Sequence, residues 1–371
     1  MKTKKLVSIG AFVSLLCSCS TSGGVRYEID EYKTDLVWKE GFTICQLNDL
    51  HLSTLSNLDE EFDYYKQLVK SNDGALPDFI VLNGDTFMDA NQRIVDRTVE
   101  FFDDLGVSYA FTYGNHDTQG FYSDNYINKK LLESDVSVYK NPNSQGKDDV
   151  FGNSNYFVNL MDGSDLKWKL VFMDSNSYYD WDYDAIHDDQ IDWYEQAILE
   201  SSGYKEIPAV VDENTFAKSL LFIHIPTPEF QDEITKFENA NPGAKIKDDE
   251  YCDVRESVSS GVNKHSNKNI LDTIQEYKST VSIGVGHDHT NNTDLLYEKD
   301  SGWPVHLICG MKSSQGIYHN KDIMGAAFYT LHSTKRVNSF SNDVYFDLKF
   351  VSLQYKEDSD KGVTLWSTSD Y

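Results

Sequence analysis

Five short polar motifs stand in fixed order along this chain: Asp49-Leu50-His51, Gly84-Asp85, Gly114-Asn115-His116-Asp117, a lone His224, and Gly286-His287-Asp288-His289. Carboxylate and amide oxygens suit hard cations, and imidazole suits zinc, iron, manganese and their neighbours, so these residue types together point to divalent-metal chemistry. Asp49, His51, Asp85, Asn115, His224, His287 and His289 make seven candidate donors. If one carboxylate bridges, seven donors give each of two ions about four protein ligands and leave positions open for a water and a substrate oxygen. That is the pattern of a hydrolytic centre, whereas a closed structural site leaves no open position.

Each motif follows an apolar, strand-like run: Phe42 to Leu47, Phe79 to Leu82, Val107 to Tyr113, Leu220 to Ile223, and Val281 to Val285. The donors then leave the carboxyl ends of strands, where open α/β sheets bind ligands. Between the strands lie four apolar faces at helical spacing: Phe62, Tyr65, Leu68 and Val69; Ile94, Thr98, Phe101 and Leu105; Ile191, Tyr194, Ala197 and Ile198; Ile270, Leu271, Ile274 and Tyr277. Alternating strands and helices predict a layered α/β core. From Pro304 onward, Val305 to Cys309, Ala327 to Leu331 and Val344 to Tyr355 read as strands completing a second sheet. Thr118 to Leu166 and Phe230 to Ser266, rich in Asp, Asn, Ser, Gly and Tyr, read as long loops or small lids beside the motifs.

The ordered set D-x-H, G-D, G-N-H-D, H and G-H-x-H resembles the calcineurin-like metallophosphoesterases, from about Phe42 to Ile317. Within that family it looks closest to the branch related to purple acid phosphatases, through His224-Ile225-Pro226-Thr227-Pro228-Glu229-Phe230 and the G-H-D-H block. The resemblance implies two packed mixed β-sheets flanked by helices. It also implies one ion on Asp49, His51, Asp85 and His289, a second on Asp85, Asn115, His224 and His287, and Asp85 as the bridge. His116 then faces the substrate as a donor to phosphate or to the leaving oxygen, with Asp117 as its orienting partner. The purple enzymes carry a tyrosine three residues after the bridging aspartate; here that position is Met88, so no tyrosinate colour is expected and the metal pair stays open among Mn, Fe and Zn. The implied reaction is hydrolysis of a small phosphate ester by a metal-activated water, with a phosphomonoesterase preferred. The same motifs leave open a phosphodiesterase or nucleotidase, and a surface lipoprotein that binds without turnover.

The N-terminus carries a different message. Lys2, Lys4 and Lys5 precede an apolar run from Leu6 to Leu16, too short to span a bilayer and shaped like a secretory leader. Leu16-Cys17-Ser18-Cys19 resembles a bacterial lipobox, and Cys19 is the better acylation site because it puts the small Ser18 at the cleavage position. The expected organisation is a lipoprotein signal peptide over 1–18, a lipid-anchored tether and lead-in over 19–37, and the phosphoesterase domain over 38–371. The protein is thus expected to be exported and held at the membrane through lipid on Cys19.

Beyond the leader, Cys45, Cys252 and Cys309 show no C-x-x-C spacing, so buried free thiols are expected in place of a disulfide framework or zinc ribbon. A formal net charge of -27 and no run of Lys or Arg argue against a nucleic-acid partner. Two bound cations would still draw in a small phosphorylated substrate. His187, His265, His306 and His332 lie outside the motifs and read as ordinary; His319 stands where it can edge the pocket and stays outside the ligand set. The 23 tyrosines read as compositional bias with no clustered binding platform.

Overall fold

A computed structural model describes residues 26–120, 124–262, 266–299, 301–354 and 362–369. The leader, Cys17, Cys19 and His265 lie outside the described residues. The first half of the chain runs through β1 (Lys33–Val37), β2 (Phe42–Leu47), α1 (Leu58–Leu68), β3 (Phe79–Asn83), α2 (Gln92–Leu105), β4 (Ser108–Thr112), α3 (Asp124–Glu133), β5 (Tyr156–Asp162) and β6 (Asp165–Phe172). A two-strand hairpin, β7 (Tyr178–Tyr179) and β8 (Asp182–Tyr183), precedes α4 (Asp188–Ser201), β9 (Lys218–Phe222), α5 (Pro228–Ala240), β10 (Ile246–Lys247) and β11 (Glu250–Val254). The last part comprises α6 (Ile270–Tyr277), β12 (Thr280–Val285), β13 (Asn291–Tyr297), β14 (Val305–Cys309), β15 (Gly325–Val337), β16 (Asp343–Ser352) and β17 (Val363–Ser367).

The strands form two large mixed sheets. One has the order β1-β5-β6-β9-β12-β14-β13-β11-β10, the other β17-β16-β15-β2-β3-β4. Within them, β2, β3 and β4 are parallel neighbours, as are β9, β12 and β14. These strands are apolar and buried along nearly their whole length, as parallel strands covered on both faces must be. The sheets meet through side chains: Phe172 packs on Phe79, Phe222 on Tyr329, and Gln46 Nε2 donates to the Val285 carbonyl at 3.1 Å. One apolar cluster runs through both sheets.

The anticipated helical faces bury as their spacing requires. Phe62, Tyr65, Leu68 and Val69 are buried, as are Ile191, Tyr194, Ala197 and Ile198, and Ile270, Leu271, Ile274 and Tyr277. In α2 the buried side is rotated: Ile94, Val95, Thr98 and Phe102 are inside while Phe101 and Leu105 are half-buried. Asn91 starts that helix by accepting the Ile94 N–H, and Gly106 ends it at φ 66°.

Three expectations need correction. Thr118 to Leu166 holds α3, β5 and the start of β6, and Phe230 to Ser266 holds most of α5 with β10 and β11. Their polar residues face solvent or satisfy one another, as when Tyr113 and Tyr139 both donate to Asn128 Oδ1, so composition hid the elements. The expected tether over 19–37 also gives way early: Tyr27, Ile29 and Tyr32 are buried, and β1 pairs with β5 in parallel. The domain therefore begins well before residue 38. Among the described residues Cys45, Cys252 and Cys309 are free and buried.

Candidate metal centre

Both sheets deliver their motifs to one place. Asp49 and His51 follow β2, Asp85 follows β3, and Asn115 and His116 follow β4; His224 follows β9, and His287 and His289 follow β12. The centre lies where the carboxyl ends of the two parallel cores meet, so neither sheet alone could build it.

The side chains converge in two groups, Asp49 with His51 and His289, and Asp85 with His224 and His287, with donor atoms in each group within 4.8 Å of one another. Asp85 Oδ2 faces both groups, standing 3.2 Å from His224 Nε2 and 3.8 Å from His51 Nε2. Asp49 Oδ1 lies 3.5 Å from His289 Nε2, 3.7 Å from His51 Nε2 and 3.9 Å from His224 Nε2, so Asp85 differs from it in its closer approach to His224. Asn115 is fully buried, and its Oδ1 has no hydrogen-bond partner.

Two histidines are oriented from behind. His224 Nδ1 lies 3.0 Å from the Asn83 carbonyl and His289 Nδ1 lies 2.9 Å from the Tyr318 carbonyl. A carbonyl only accepts, so each Nδ1 carries a proton and each Nε2 is the atom left to face the centre. The backbone is equally constrained: Asp49, His51, Asp85 and His287 have φ of 56°, 49°, 50° and 76°. Left-handed conformations in such residues are costly and persist only where surroundings impose them. Here Lys312 Nζ and Ser314 Oγ donate to the Asp49 carbonyl at 2.7 and 2.9 Å, and the His51 N–H donates to the Asp85 carbonyl at 2.8 Å. Two motif glycines answer to close approach. A Cβ on Gly84 would fall 2.2 Å from His224 Nδ1, and one on Gly114 would fall 2.3 Å from Asp85 Oδ1.

The residues fit a pair of cations. Asp49 Oδ1, Asn115 Oδ1 and His224 Nε2 are buried and make no hydrogen bond, although buried polar atoms are ordinarily paired. His51 Nε2 and His289 Nε2 approach to 3.0 Å. Lone pairs and carboxylates gathered in this way call for positive charge between them. Electrostatics agree: burial alone would depress the basicity of His224, yet Asp85 and Asp49 outweigh it and hold it at about 10. Burial pushes His51 down to about 4 and, aided by the charge on His224, His287 down to about 3. Burial also pushes Lys312 down to about 8, against the pull of Asp49 and Asp85.

Six of the seven expected donors therefore fall in the two groups, the seventh, Asn115, is buried with its Oδ1 unpartnered, and next to it in sequence stands His116. It is half-buried, its N–H donates to Asp85 Oδ1 at 2.7 Å, and its ring lies 5.2 Å from that of His51. Asp117 departs from its expected role. Its carboxylate accepts the N–H groups of Asp85, Phe87 and Gly114 at 2.9, 2.8 and 2.7 Å, so it braces the backbone of two motifs. The partner of His116 Nδ1 is Gln119 Oε1 at 2.7 Å. His187, His306 and His332 pair with Asp184, Asp294, and Glu40 and Asp347, away from the centre, and His319 is exposed.

The reading of the tyrosines as unclustered also fails. Tyr183 stands edge-on to His287 at 4.4 Å, the Tyr178 hydroxyl lies 3.4 Å from Asn115 Nδ2, and Tyr318 stacks on His289 at 4.2 Å. The run Tyr178-Tyr179-Asp180-Trp181-Asp182-Tyr183 held a signal in its density of rings around a turn. Lys312, alone after the buried β14, held another.

Known proteins place the chain. It is 30% identical over 164 residues to an uncharacterised protein of Schizosaccharomyces pombe, covering 42% of this chain and 28% of that protein. It is 24% identical to phosphatase DCR2 of Saccharomyces cerevisiae over 68% of this chain and 44% of the other. It is 25% identical to "Probable inactive purple acid phosphatase 14" of Arabidopsis thaliana over 58% and 54%. The chain thus spans between about a quarter and about half of the length of these relatives. The model of the calcineurin-like phosphoesterase family matches residues 42–291, which include every donor described above, and the chain belongs to that family.

Proposed function

We propose that this protein is an exported, lipid-anchored phosphomonoesterase that works with two metal ions. The observation that carries the reading is Asp85 Oδ2, which faces His224 in one donor group and His51 in the other. Asp49, His51, Asp85 and His289 would hold one ion, and Asp85, Asn115, His224 and His287 the second. When bound, such ions polarise a phosphoryl group and lower the pKa of water.

The chain's own residues do the rest. Asn83 and Tyr318 fix the tautomers of His224 and His289, and Lys312, Ser314 and Asp117 lock the turns that carry Asp49 and Asp85. His116 is tied to Asp85 through its backbone and oriented by Gln119 through Nδ1, which leaves Nε2 to protonate the leaving alkoxide or to stabilise charge on the phosphoryl oxygens. One relative is named a phosphatase and another inactive. The full donor set and His116 in this chain support turnover.

Export and the lipid on Cys19 rest on the leader and lipobox, and monoester preference on the likeness to the purple acid phosphatase branch. The test is a panel of monoesters, diesters and nucleotides offered to metal-loaded protein. Release of phosphate from monoesters with little diester cleavage is expected; a reversed preference would make it a phosphodiesterase. No hydrolysis of any ester would leave a binding lipoprotein.

A further inference from the structure

The five motifs do not account for the rings at the mouth of the centre. Hairpin β7–β8 pairs Tyr178 with Tyr183 and Tyr179 with Asp182 around the turn Asp180-Trp181. Tyr183 leans edge-on against the donor His287, Tyr178 stacks on Tyr183 at 5.1 Å and 29°, and the Tyr178 hydroxyl reaches to 3.4 Å from Asn115 Nδ2. Tyr178 remains 50% exposed and Trp181 is 98% exposed.

Folding gives no reason for a tryptophan at this tip. Asp180 and Trp181 have φ of 47° and 77°, the conformation of a type I′ turn, whose second central position favours glycine. A bulky residue there is disfavoured locally, and almost none of its surface is buried. The tip lies two strand residues beyond Tyr183, on the order of 7 Å. From the second donor group outward the hairpin thus carries Tyr183, the half-exposed Tyr178 stacked on it and, at the tip, the exposed Trp181.

We propose that this hairpin is a specificity element: Tyr178 and Trp181 receive the flat, uncharged leaving group of a phosphomonoester, a nucleoside or an aryl alcohol, whose phosphate lies at the metal centre. This rests on the phosphoesterase reading above. Tyr178, stacked on Tyr183 at 29° and half-exposed, and the exposed indole of Trp181 offer ring surface on which a planar group can stack. Asp180 and Asp182 on the same hairpin disfavour a leaving group that carries further phosphates.

The experiment compares adenosine 5′-monophosphate with glycerol 3-phosphate on metal-loaded protein. Both release a primary alkoxide, so their intrinsic reactivity is matched. The parent is expected to favour the nucleotide through a lower KM. Trp181→Gly, which relieves the positive φ and should not lower the thermal midpoint, should reduce the ratio of the two kcat/KM values about 10-fold, the scale of one base stacked on an aromatic ring. Tyr178→Ala should reduce it similarly, with Tyr178→Phe retaining most of the preference. A second readout is quenching of tryptophan emission by the nucleotide, expected in the parent and diminished in Trp181→Gly. Equal KM values in the parent, or a ratio unchanged in both ring-removing variants, would overturn the proposal. If neither ester is hydrolysed the phosphoesterase reading fails, and the quenching titration alone decides whether the hairpin binds a flat ligand.

Discussion

Asp85→Asn tests the architecture of the centre most directly, because the substitution keeps shape and removes only charge. Asp85 Oδ1 accepts the His116 N–H at 2.7 Å, a bond the amide oxygen of asparagine retains. Oδ2, which stands 3.2 Å from His224 Nε2 and 3.8 Å from His51 Nε2, becomes an uncharged NH₂ pointing at both donor groups. At an effective dielectric of about 20, a unit charge pair at the His224 separation is worth about 5 kcal/mol, while His51 is neutral and adds no such attraction. Experience with buried pairs broken on one side gives about 3–5 kcal/mol, which agrees. Retention of each ion should therefore weaken by about 10² to 10⁴-fold. The assay is metal content after dialysis against a graded chelator, with circular dichroism to confirm the fold. His51→Ala removes a neutral donor from one group alone and should spare the other ion. If Asp85→Asn keeps both ions, or if His51→Ala loses more metal than Asp85→Asn, Asp85 is not the shared ligand and the two-group reading collapses.

His116→Ala should retain its metals while kcat for an alkyl phosphate falls by about 10² to 10⁴, the usual range for a lost general acid; loss of metal would make His116 a ligand. Gln119→Ala should give a smaller fall and a displaced acidic or basic limb in the pH–rate profile, and an unchanged profile would show that Gln119 does not orient the ring. Metal binding should release protons: His224 is held at about 10 and must be neutral to coordinate, so below that pH apparent affinity falls about tenfold per unit as acidity rises. His51 and His287, at about 4 and about 3, are already neutral at pH 7 and add nothing to this. Calorimetry in buffers of different ionisation heat should find at least one proton released per chain between pH 7 and 9, and none would contradict the charge on His224. Cys19→Ser should abolish acylation of the mature N-terminus by mass spectrometry; an unmodified terminus in the parent would indicate simple secretion.

Much of this protein was legible because its chemistry sits at strand ends. Asp49, Asp85, Asn115, His224 and His287 each follow a short apolar run, and a strand that must be buried announces itself by composition. The helical faces of α1, α4 and α6 were legible for the same reason, since 3.6-residue periodicity survives any tertiary arrangement. In α2 the face was read one residue out of place, with Phe101 chosen where Phe102 is buried, because neighbouring phenylalanines give periodicity nothing to choose between. The elements missed between 118 and 166 and between 230 and 266 are polar on most of their surface, and their buried tyrosines and asparagines satisfy each other across the fold.

The sequence by itself determined the donor types, their order and the class of fold that must present them, because metal preference and strand burial are properties of residues and their spacing. Tertiary structure alone decided that donors from two different sheets share one centre and that Asp85 faces both groups. It also decided that Asp117 holds backbone while Gln119 holds His116, and that Lys312 and three tyrosines surround the site. Those relations join residues up to 263 positions apart, as Asp49 to Lys312. Only packing fixes such distances: a local pattern specifies which side chains leave a strand, and the docking of one sheet on another specifies what they meet.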